Sequence, residues 1–314
     1  MTWENETLIT EFILLGFSSL LQLQVLLFVV FLVTYVITLI GNILIVLITM
    51  VDTALQSPMY FFLQNLSSLE ICFTLVIIPK MLVNLLSDNK SISFPGCMLQ
   101  MYFFFFFGST ECFLLAAMAY DRYVAICHPL RYTVIMNRKV CIRLAVSSWI
   151  SGIPVGTVQT TWLFSFPFCG PNEVNHFFCD SPPVLKLVCG DTYLFEMYAV
   201  TGTILIILFP FILILFSYIQ IIATILRMPS AERRHKAFST CSSHLVVVTL
   251  FYSTASLTYF RPKSSYSPDT KKLLFLSYTV FTPMLNPIIY SLRNKEVKGA
   301  LKRMIGKKIY SWKL

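Results

Sequence analysis

The chain has 314 residues, of which 56% are hydrophobic and only 12% are charged. Soluble domains carry about 25% charged residues, so this composition excludes an ordinary soluble protein. The net charge is +9, but the basic residues have no interleaved aromatic side chains and form no recognised binding module. A nucleic-acid partner is therefore not expected, and the charge instead suits the surface of a lipid bilayer.

Apolar runs close to the ~20 residues that cross a bilayer recur along the chain. They predict an all-α bundle of seven membrane-spanning helices at 23–50, 58–86, 97–127, 139–163, 195–226, 235–260 and 270–291. Seventeen of the 24 basic residues fall on one side of these spans and seven on the other. The positive-inside rule then places the N-terminus outside the cell and the C-terminus in the cytoplasm, as for a multi-pass plasma-membrane protein.

Three parts follow from these spans. Residues 1–22 form a short acidic extracellular tail, in which Asn5-Glu6-Thr7 is a glycosylation acceptor. Residues 23–291 form the seven-span domain, with a long extracellular loop at 164–194. In residues 292–314, apolar side chains recur at helical spacing among basic ones, which predicts an amphipathic helix on the inner membrane surface: Val297, Ala300, Leu301, Met304 and Ile305.

Four cysteines lie on the predicted outside, where disulfides persist: Cys97, Cys169, Cys179 and Cys189. Four cysteines allow three pairings, and the sequence alone does not choose between them. Because Cys97 lies at the start of the third span, a bond from it to the long loop would tie that loop over the bundle. His176, Cys179 and Asp180 are also metal-ligand types, but a cysteine committed to a disulfide is lost as a ligand, which favours a structural loop.

The third span ends in Asp121-Arg122-Tyr123, and an ionic pair at the end of a span is costly unless it meets water or partners. Arg122 could be a snorkelling anchor. The alternative, which we favour, is a switch that binds Asp121 or a partner on the sixth span at rest. In the seventh span, Pro287 must break the helical hydrogen-bond ladder, while Asn286 can bond the freed carbonyls and Tyr290 can swing inward.

Glu70 and Glu111 lie in the middle of spans, where burial of a carboxylate costs several kcal/mol unless it is protonated or paired. Two facing carboxyl groups would share either a proton or a small cation such as sodium. Alternatively, each is simply protonated and hydrogen-bonded to neighbours such as Ser67, Asn42 or Asn286.

Several motifs carry a resemblance to a known family. The resemblance rests on Gly41-Asn42, Pro58–Leu63, Met118–Cys127 with His128–Tyr132, Ser217-Tyr218, Lys236–His244 and Pro283–Tyr290, in this order along nearly the whole chain. The chain resembles rhodopsin-like G-protein-coupled receptors. Through Met118–Cys127 and Lys236–His244 it resembles the odorant receptors, and it is most similar to their class II, tetrapod-type branch. It departs from the family at Glu70, where an aspartate is usual.

The resemblance implies a sensor of small hydrophobic volatile molecules that activates a stimulatory, olfactory-type heterotrimeric G protein and raises cyclic AMP. It implies the disulfides Cys97–Cys179 and Cys169–Cys189, and it suggests Tyr218 and His244 as hydrogen-bonding partners of Arg122. Rival interpretations are a non-olfactory chemosensor and a transporter, but no inverted repeat supports the second. No nucleophile–base set, phosphate-binding glycine loop or zinc-ligand spacing occurs, so no enzyme activity and no cofactor other than sodium are expected.

In such a fold the ligand lies in the outer half of the third, fifth, sixth and seventh spans, beneath the long loop. An aspartate that would bind an amine is missing from the third span, where residues 103–107 are all Phe. We therefore expect binding by shape and apolar burial, with one or two hydroxyl contacts. The candidate ligand-binding residues are Met101, Phe104, Phe105, Gly108, Ser109, Thr203, Ile206, Ile207, Phe251, Tyr252, Ala255, Tyr278 and Thr279.

Overall fold

The computed structural model describes residues 9–17, 22–169, 171–259, 268–293 and 295–311. The helices are α1 (Gln24–Val51), α2 (Pro58–Leu86), α3 (Phe94–Cys127), α4 (Tyr132–Ile135), α5 (Arg138–Phe164), α6 (Ser181–Leu185), α7 (Tyr193–Leu226), α8 (Ala231–Tyr259), α9 (Pro268–Leu276), α10 (Thr282–Arg293) and α11 (Lys295–Ser311). The strands are β1 (Glu11–Leu14), β2 (Ser91–Ser93) and β3 (Glu173–Val174).

The predicted all-α bundle of apolar spans is confirmed. Among the described residues, six helical stretches are long and apolar enough to cross a membrane, and α8 adds a shorter apolar stretch, Cys241–Leu257. The spans correspond to α1, α2, α3, α5, α7, α8 and the α9–α10 pair. Their ends lie within a few residues of the predicted ones. Where an apolar run ends close to a capping residue, hydropathy and capping mark nearly the same helix boundary. At the start of α5, for example, the Asn137 side chain accepts a hydrogen bond from the Val140 amide.

Helix α3 is the central helix of the bundle, in contact with α2, α5, α7 and α8. Within its most apolar stretch 67% of the residues are buried, whereas the corresponding figure for α7 is 17%. Apolar side chains on α7 therefore face outward, as expected of a lipid-facing helix. The side chains of α3 instead contact other helices along most of its length.

Residues 11–14, within the predicted N-terminal tail, form a strand. β1 is the central strand of a three-stranded sheet, antiparallel to β2 and parallel to β3. Phe12 and Leu14 alternate with more exposed neighbours and are fully buried. The Phe12 ring packs against Phe94 and Phe168 at centroid distances of 5.9 and 5.5 Å. Asn5, the predicted glycosylation acceptor, lies outside the described residues.

The long loop carries two disulfides, of which Cys97–Cys179 ties it to α3 and Cys169–Cys189 closes a ring within the loop. This is the pairing implied by the resemblance. Gln100 on α3 adds a second link, because its side-chain oxygen accepts the Cys179 amide at 2.9 Å and its nitrogen donates to the Val76 carbonyl at 2.9 Å. We call this end of the bundle, with the sheet and the disulfides, the disulfide end, and the opposite end the Arg122 end.

At the Arg122 end, α11 packs back against the first two spans. Val297 and Ala300 on α11 are buried. The Tyr60 hydroxyl donates to Glu296 at 2.5 Å, and the Arg303 guanidinium donates to Asp52 at 2.6 Å. The amphipathic pattern of the sequence thus corresponds to a helix with a buried apolar side, as far as its side chains are described.

Helices α3 and α5 approach each other most closely at Gly152. A Cβ atom on Gly152 would lie 2.3 Å from the Phe106 carbonyl oxygen and 2.7 Å from the Thr110 hydroxyl. Since the nearest atom belongs to the backbone, the helices would have to separate to accept any side chain. Gly202 on α7 is a natural contrast, because an added Cβ there meets nothing within 4 Å.

We predict that Gly152→Ala destabilises the protein by about 1–3 kcal/mol, the usual cost of overpacking. Gly202→Ala should be neutral or stabilise by up to about 1 kcal/mol, because alanine is the better helix former. Thermal denaturation of the detergent-purified protein would measure both. Equal stability of the two variants would contradict the close packing of α3 on α5.

Candidate functional site

A cavity lies inside the bundle near the disulfide end. It lies between α3, α5, α7, α8 and the π-helical segment Ser277–Phe281 that joins α9 to α10. The lining is largely apolar and consists of Phe104, Phe105, Gly108, Ser109, Cys112, Val155, Gln159, Tyr198, Ala199, Gly202, Thr203, Ile206, Ile207, Phe251, Ala255 and Tyr278.

Ten of the thirteen candidate ligand-binding residues line this cavity. Met101, Tyr252 and Thr279 do not. Met101 packs nearer the disulfide end, in the same apolar cluster as Cys97 and Cys179. The Thr279 hydroxyl donates to its own helix at Phe275. Tyr252 packs against Phe211 at 4.9 Å, and its hydroxyl is buried without a hydrogen-bond partner among the described residues.

The contribution of α5 was missed by sequence reasoning. Val155 and Gln159 lie one turn apart on the cavity side of this helix, and Tyr198, Ala199 and Gly202 on α7 extend the lining toward the disulfide end. The sequence did contain a signal for Gln159, because an isolated amide within an apolar span needs a partner or a function. Cys112 and Val155 are ordinary apolar residues that no pattern would single out.

The roof of the cavity is aromatic. Phe178 in the long loop packs on the cavity residue Phe104 at 4.9 Å, and the Phe104 ring also contacts Tyr278 at 6.3 Å. Because Phe178 precedes the bridged Cys179, the disulfide to α3 holds this ring in place. The loop that packs on Phe104 is therefore covalently fixed to α3, which forms one wall of the cavity.

Two ionisable loop residues beside the roof are shielded from water. Burial lowers the pKa of His176 to about 3, with a further contribution from the positive charge of Lys272, so its imidazole is neutral. Its ring stacks on Phe177 at 4.5 Å. Burial raises the pKa of Asp180 to about 7, against a hydrogen bond from the Ser181 amide that lowers it. Within the described part of the chain, His, Cys, Asp and Glu form no group that could hold a metal ion.

Glu70 on α2 and Glu111 on α3 meet below the cavity. Both side chains are buried, and their carboxyl groups lie within hydrogen-bonding reach of each other. The Asn286 amide on α10 donates to Glu70 at 2.5 Å, so three helices converge on one carboxyl group. One oxygen each of Glu70, Glu111 and Asn286 has no hydrogen-bond partner among the described residues.

At the Arg122 end, the Arg122 guanidinium is paired with Asp121, and both side chains are buried. The Tyr132 hydroxyl on α4 donates to the other Asp121 oxygen at 2.8 Å. Tyr123, the third residue of the motif, turns away and contacts the His128 ring nitrogen at 3.2 Å. Arg122 thus adopts the paired arrangement that a resting switch requires.

Tyr218 and His244 bond each other rather than Arg122, with 2.6 Å between the hydroxyl and the ring Nδ1. This contact links α7 to α8. Near Pro287, the α10 backbone passes so close to α1 that a Cβ on Gly41 would lie 2.9 Å from the proline ring. The Tyr290 hydroxyl is buried without a hydrogen-bond partner among the described residues.

The fold and the site define a multi-pass membrane protein with a largely apolar cavity at one end and a buried ionic pair at the other. Comparison with known proteins identifies its family. The olfactory receptor family model matches residues 31–308. The chain is 67% identical to human olfactory receptor 10A7 over 98% of both chains, and 67% identical to human olfactory receptor 10A4 over the full length of both. Human olfactory receptor 10K1 is 52% identical over 98% of both chains.

The chain therefore belongs to the olfactory receptor family, a family of receptors and not of enzymes. This membership agrees with the odorant receptors that the motifs in α3 and α8 resemble. The cavity, the aromatic roof and the Asp121–Arg122 pair can then be considered as parts of a receptor.

We predict that Gly108→Leu weakens the response to bulky odorants far more than the response to small ones. Gly108 lines the cavity, and a Cβ there would already lie 3.1 Å from the Tyr278 hydroxyl, so a leucine must extend into the free space. Potency for bulky odorants should fall roughly tenfold or more, the equivalent of about 1–3 kcal/mol of overpacking.

Concentration–response curves at matched surface expression would measure the effect, with Gly108→Ala as the control that adds only one carbon. If both variants kept the potency of every odorant in a size series, the odorant would not occupy this cavity.

Proposed function

We propose that this protein is an odorant receptor that binds a small hydrophobic volatile molecule in the cavity between α3, α5, α7 and α8. The mostly apolar lining is the observation that carries the proposal. Burial of an apolar ligand there contributes about 25 cal/mol per Å² of surface removed from water. No charged side chain is among the residues that line this cavity, which suits a neutral ligand.

The disulfide end would face the outside of the cell, and the Arg122 end and the C-terminus would face the cytoplasm. Two observations support this orientation. Disulfides persist outside the cell and not in the cytosol, and both bonds lie at the disulfide end. The larger share of the basic residues lies toward the Arg122 end, as the positive-inside rule requires of a plasma-membrane protein. Asn5 would then be an extracellular glycosylation acceptor.

The output would be activation of a stimulatory, olfactory-type heterotrimeric G protein, with a rise in cyclic AMP. Helix α8 contributes to both ends of the molecule, since Phe251 and Ala255 line the cavity while His244 bonds Tyr218 on α7. An odorant that pushes on α8 would open the Arg122 end and release Arg122 from Asp121. A planar guanidinium offers donors that no other side chain reproduces.

We predict that Arg122→Ala abolishes the cyclic AMP response to an active odorant, because the released guanidinium has no substitute. Arg143→Ala is the matched control, since Arg143 is an exposed arginine on α5. Both variants should reach the cell surface at comparable levels. A normal odorant response of Arg122→Ala in a cyclic AMP reporter assay would refute the switch.

Glu70 and Glu111 would hold either a sodium ion or a shared proton when the receptor is at rest. Sodium prefers oxygen ligands, and the unpartnered oxygens of Glu70, Glu111 and Asn286 suit it. An ion bound between α2, α3 and α10 would stabilise the arrangement in which these helices meet. A ligand that prefers one conformation shifts the population toward it.

If sodium binds there, replacing potassium with sodium at equal ionic strength should raise the melting temperature of the purified receptor. Glu111→Gln should abolish this difference, because it removes one of the two carboxylates while preserving the side-chain shape. A melting temperature that is insensitive to sodium in the wild-type protein would leave only protonated carboxyl groups at this site.

A further inference from the structure

Gln159 is the one residue from α5 that brings an amide to the cavity wall. Its side chain is 7% exposed, and its nitrogen donates to the Ser181 hydroxyl oxygen at 3.0 Å. The carbonyl oxygen of the same amide receives no hydrogen bond from the described residues. One of the two amide N–H groups is committed to Ser181, which holds the nitrogen toward the loop, and the carbonyl oxygen is the acceptor that a ligand donor would satisfy.

The partner that orients Gln159 is itself held in place. Ser181 is the first residue of α6, and its backbone amide donates to the Asp180 carboxyl group at 2.8 Å. Asp180, Ser181 and Gln159 thus form a chain of hydrogen bonds from the loop to the cavity, and all three are buried. Because a side chain fixed by its neighbours cannot reorient cheaply, the acceptor is preorganised.

The other polar groups of the lining are hydroxyls, which behave differently from this amide. The Ser109 hydroxyl donates to the Phe105 carbonyl at 2.8 Å, within its own helix. Thr203, Tyr198 and Tyr278 also line the cavity. A hydroxyl both donates and accepts, so it can adapt to either kind of ligand group. The Gln159 carbonyl oxygen differs from these hydroxyls because it can only accept, so a ligand that brings no donor leaves it unpaired.

We infer that Gln159 is a specificity-determining residue, and that the receptor prefers odorants with a hydroxyl or other hydrogen-bond donor to aldehydes, ethers and hydrocarbons of the same size. The inference rests on the proposed function, in which the cavity holds the odorant. In the complex, the odorant hydroxyl donates to the Gln159 carbonyl oxygen while its hydrocarbon portion packs against the phenylalanines. An ether or aldehyde of equal size leaves this buried acceptor unpaired, which is costly.

The test uses four probes matched in their number of non-hydrogen atoms: 1-octanol, octanal, methyl heptyl ether and nonane. Dissociation constants are measured on the full-length receptor in lipid nanodiscs. The wild-type receptor should bind 1-octanol roughly 2- to 13-fold more tightly than the ether or the aldehyde, which is the effect of one hydrogen bond. Gln159→Leu should remove this difference while leaving the affinity for nonane unchanged or higher.

Ser181→Ala tests the same point without altering the cavity wall. It frees the Gln159 amide to turn its nitrogen toward the ligand, so the ratio between 1-octanol and octanal should shrink while both still bind. This variant keeps the inference falsifiable even if Gln159→Leu fails to fold.

Three outcomes would overturn the inference. The first is an alcohol-to-ether ratio that Gln159→Leu leaves unchanged. The second is tighter binding of octanal than of 1-octanol by the wild-type receptor, which would mean that the amide presents its nitrogen to the cavity. Both contradict this inference alone, since the cavity would still bind its ligand. Binding of none of the four probes would instead overturn the inference together with the proposed function.

Discussion

The hydrogen bond from Asn286 to Glu70 is the constraint on which the arrangement of the bundle depends. Two carboxyl groups, Glu70 and Glu111, are buried side by side in the middle of the bundle, where an unpaired charge is costly. Asn286 connects this pair to α10 through its hydrogen bond to Glu70. Helices α2, α3 and α10 cannot separate here without losing a buried contact.

This constraint lies between the two functional ends. Gly108 and Ser109 on α3 line the cavity, Glu111 follows immediately, and Arg122 lies three helical turns further on. Helix α8 is arranged in the same way. Its residues Ala255 and Phe251 line the cavity, and His244, which bonds Tyr218, lies two turns away. A ligand that separates α3 from α8 at the cavity is resisted by contacts near the centre of the bundle. We interpret the packed helices α3 and α8 as the physical connection between the cavity and the Arg122 end.

Most of the fold and much of the cavity lining could be predicted from hydropathy and helical periodicity. The spans could be predicted because a bilayer requires long apolar segments, and Phe104, Gly108, Phe251 and Ala255 could be placed because helical spacing puts them on shared faces. Their role as ligand-binding residues remains a prediction. The strand at 11–14 could not be predicted, because its pairing with β2 and β3 depends on residues about 80 and 160 positions away. Strand pairing at this separation leaves little trace in a four-residue window.

Other differences have local causes. Gln159 lines the cavity from α5, which lies directly against α3 at Gly152, and this close approach is not revealed by hydropathy. Tyr218 and His244 pair with each other because Arg122 is already bound to Asp121, whose second oxygen is taken by Tyr132. The sequence identifies these groups as partners in a polar network, and only the packed structure decides which atoms meet.

The central claim is that an odorant in the cavity separates α8 from α3 at the Arg122 end. Leu130, just beyond α3, and Phe238 on α8 are exposed at 97% and 59%, so nitroxide amino acids at these two positions would not disturb the packing. Double electron–electron resonance would then report the distance between them. The account predicts that a saturating odorant shifts the distribution to longer distances, and that Gly108→Leu abolishes the shift for a bulky odorant. A distribution that a bound odorant leaves unchanged would contradict it.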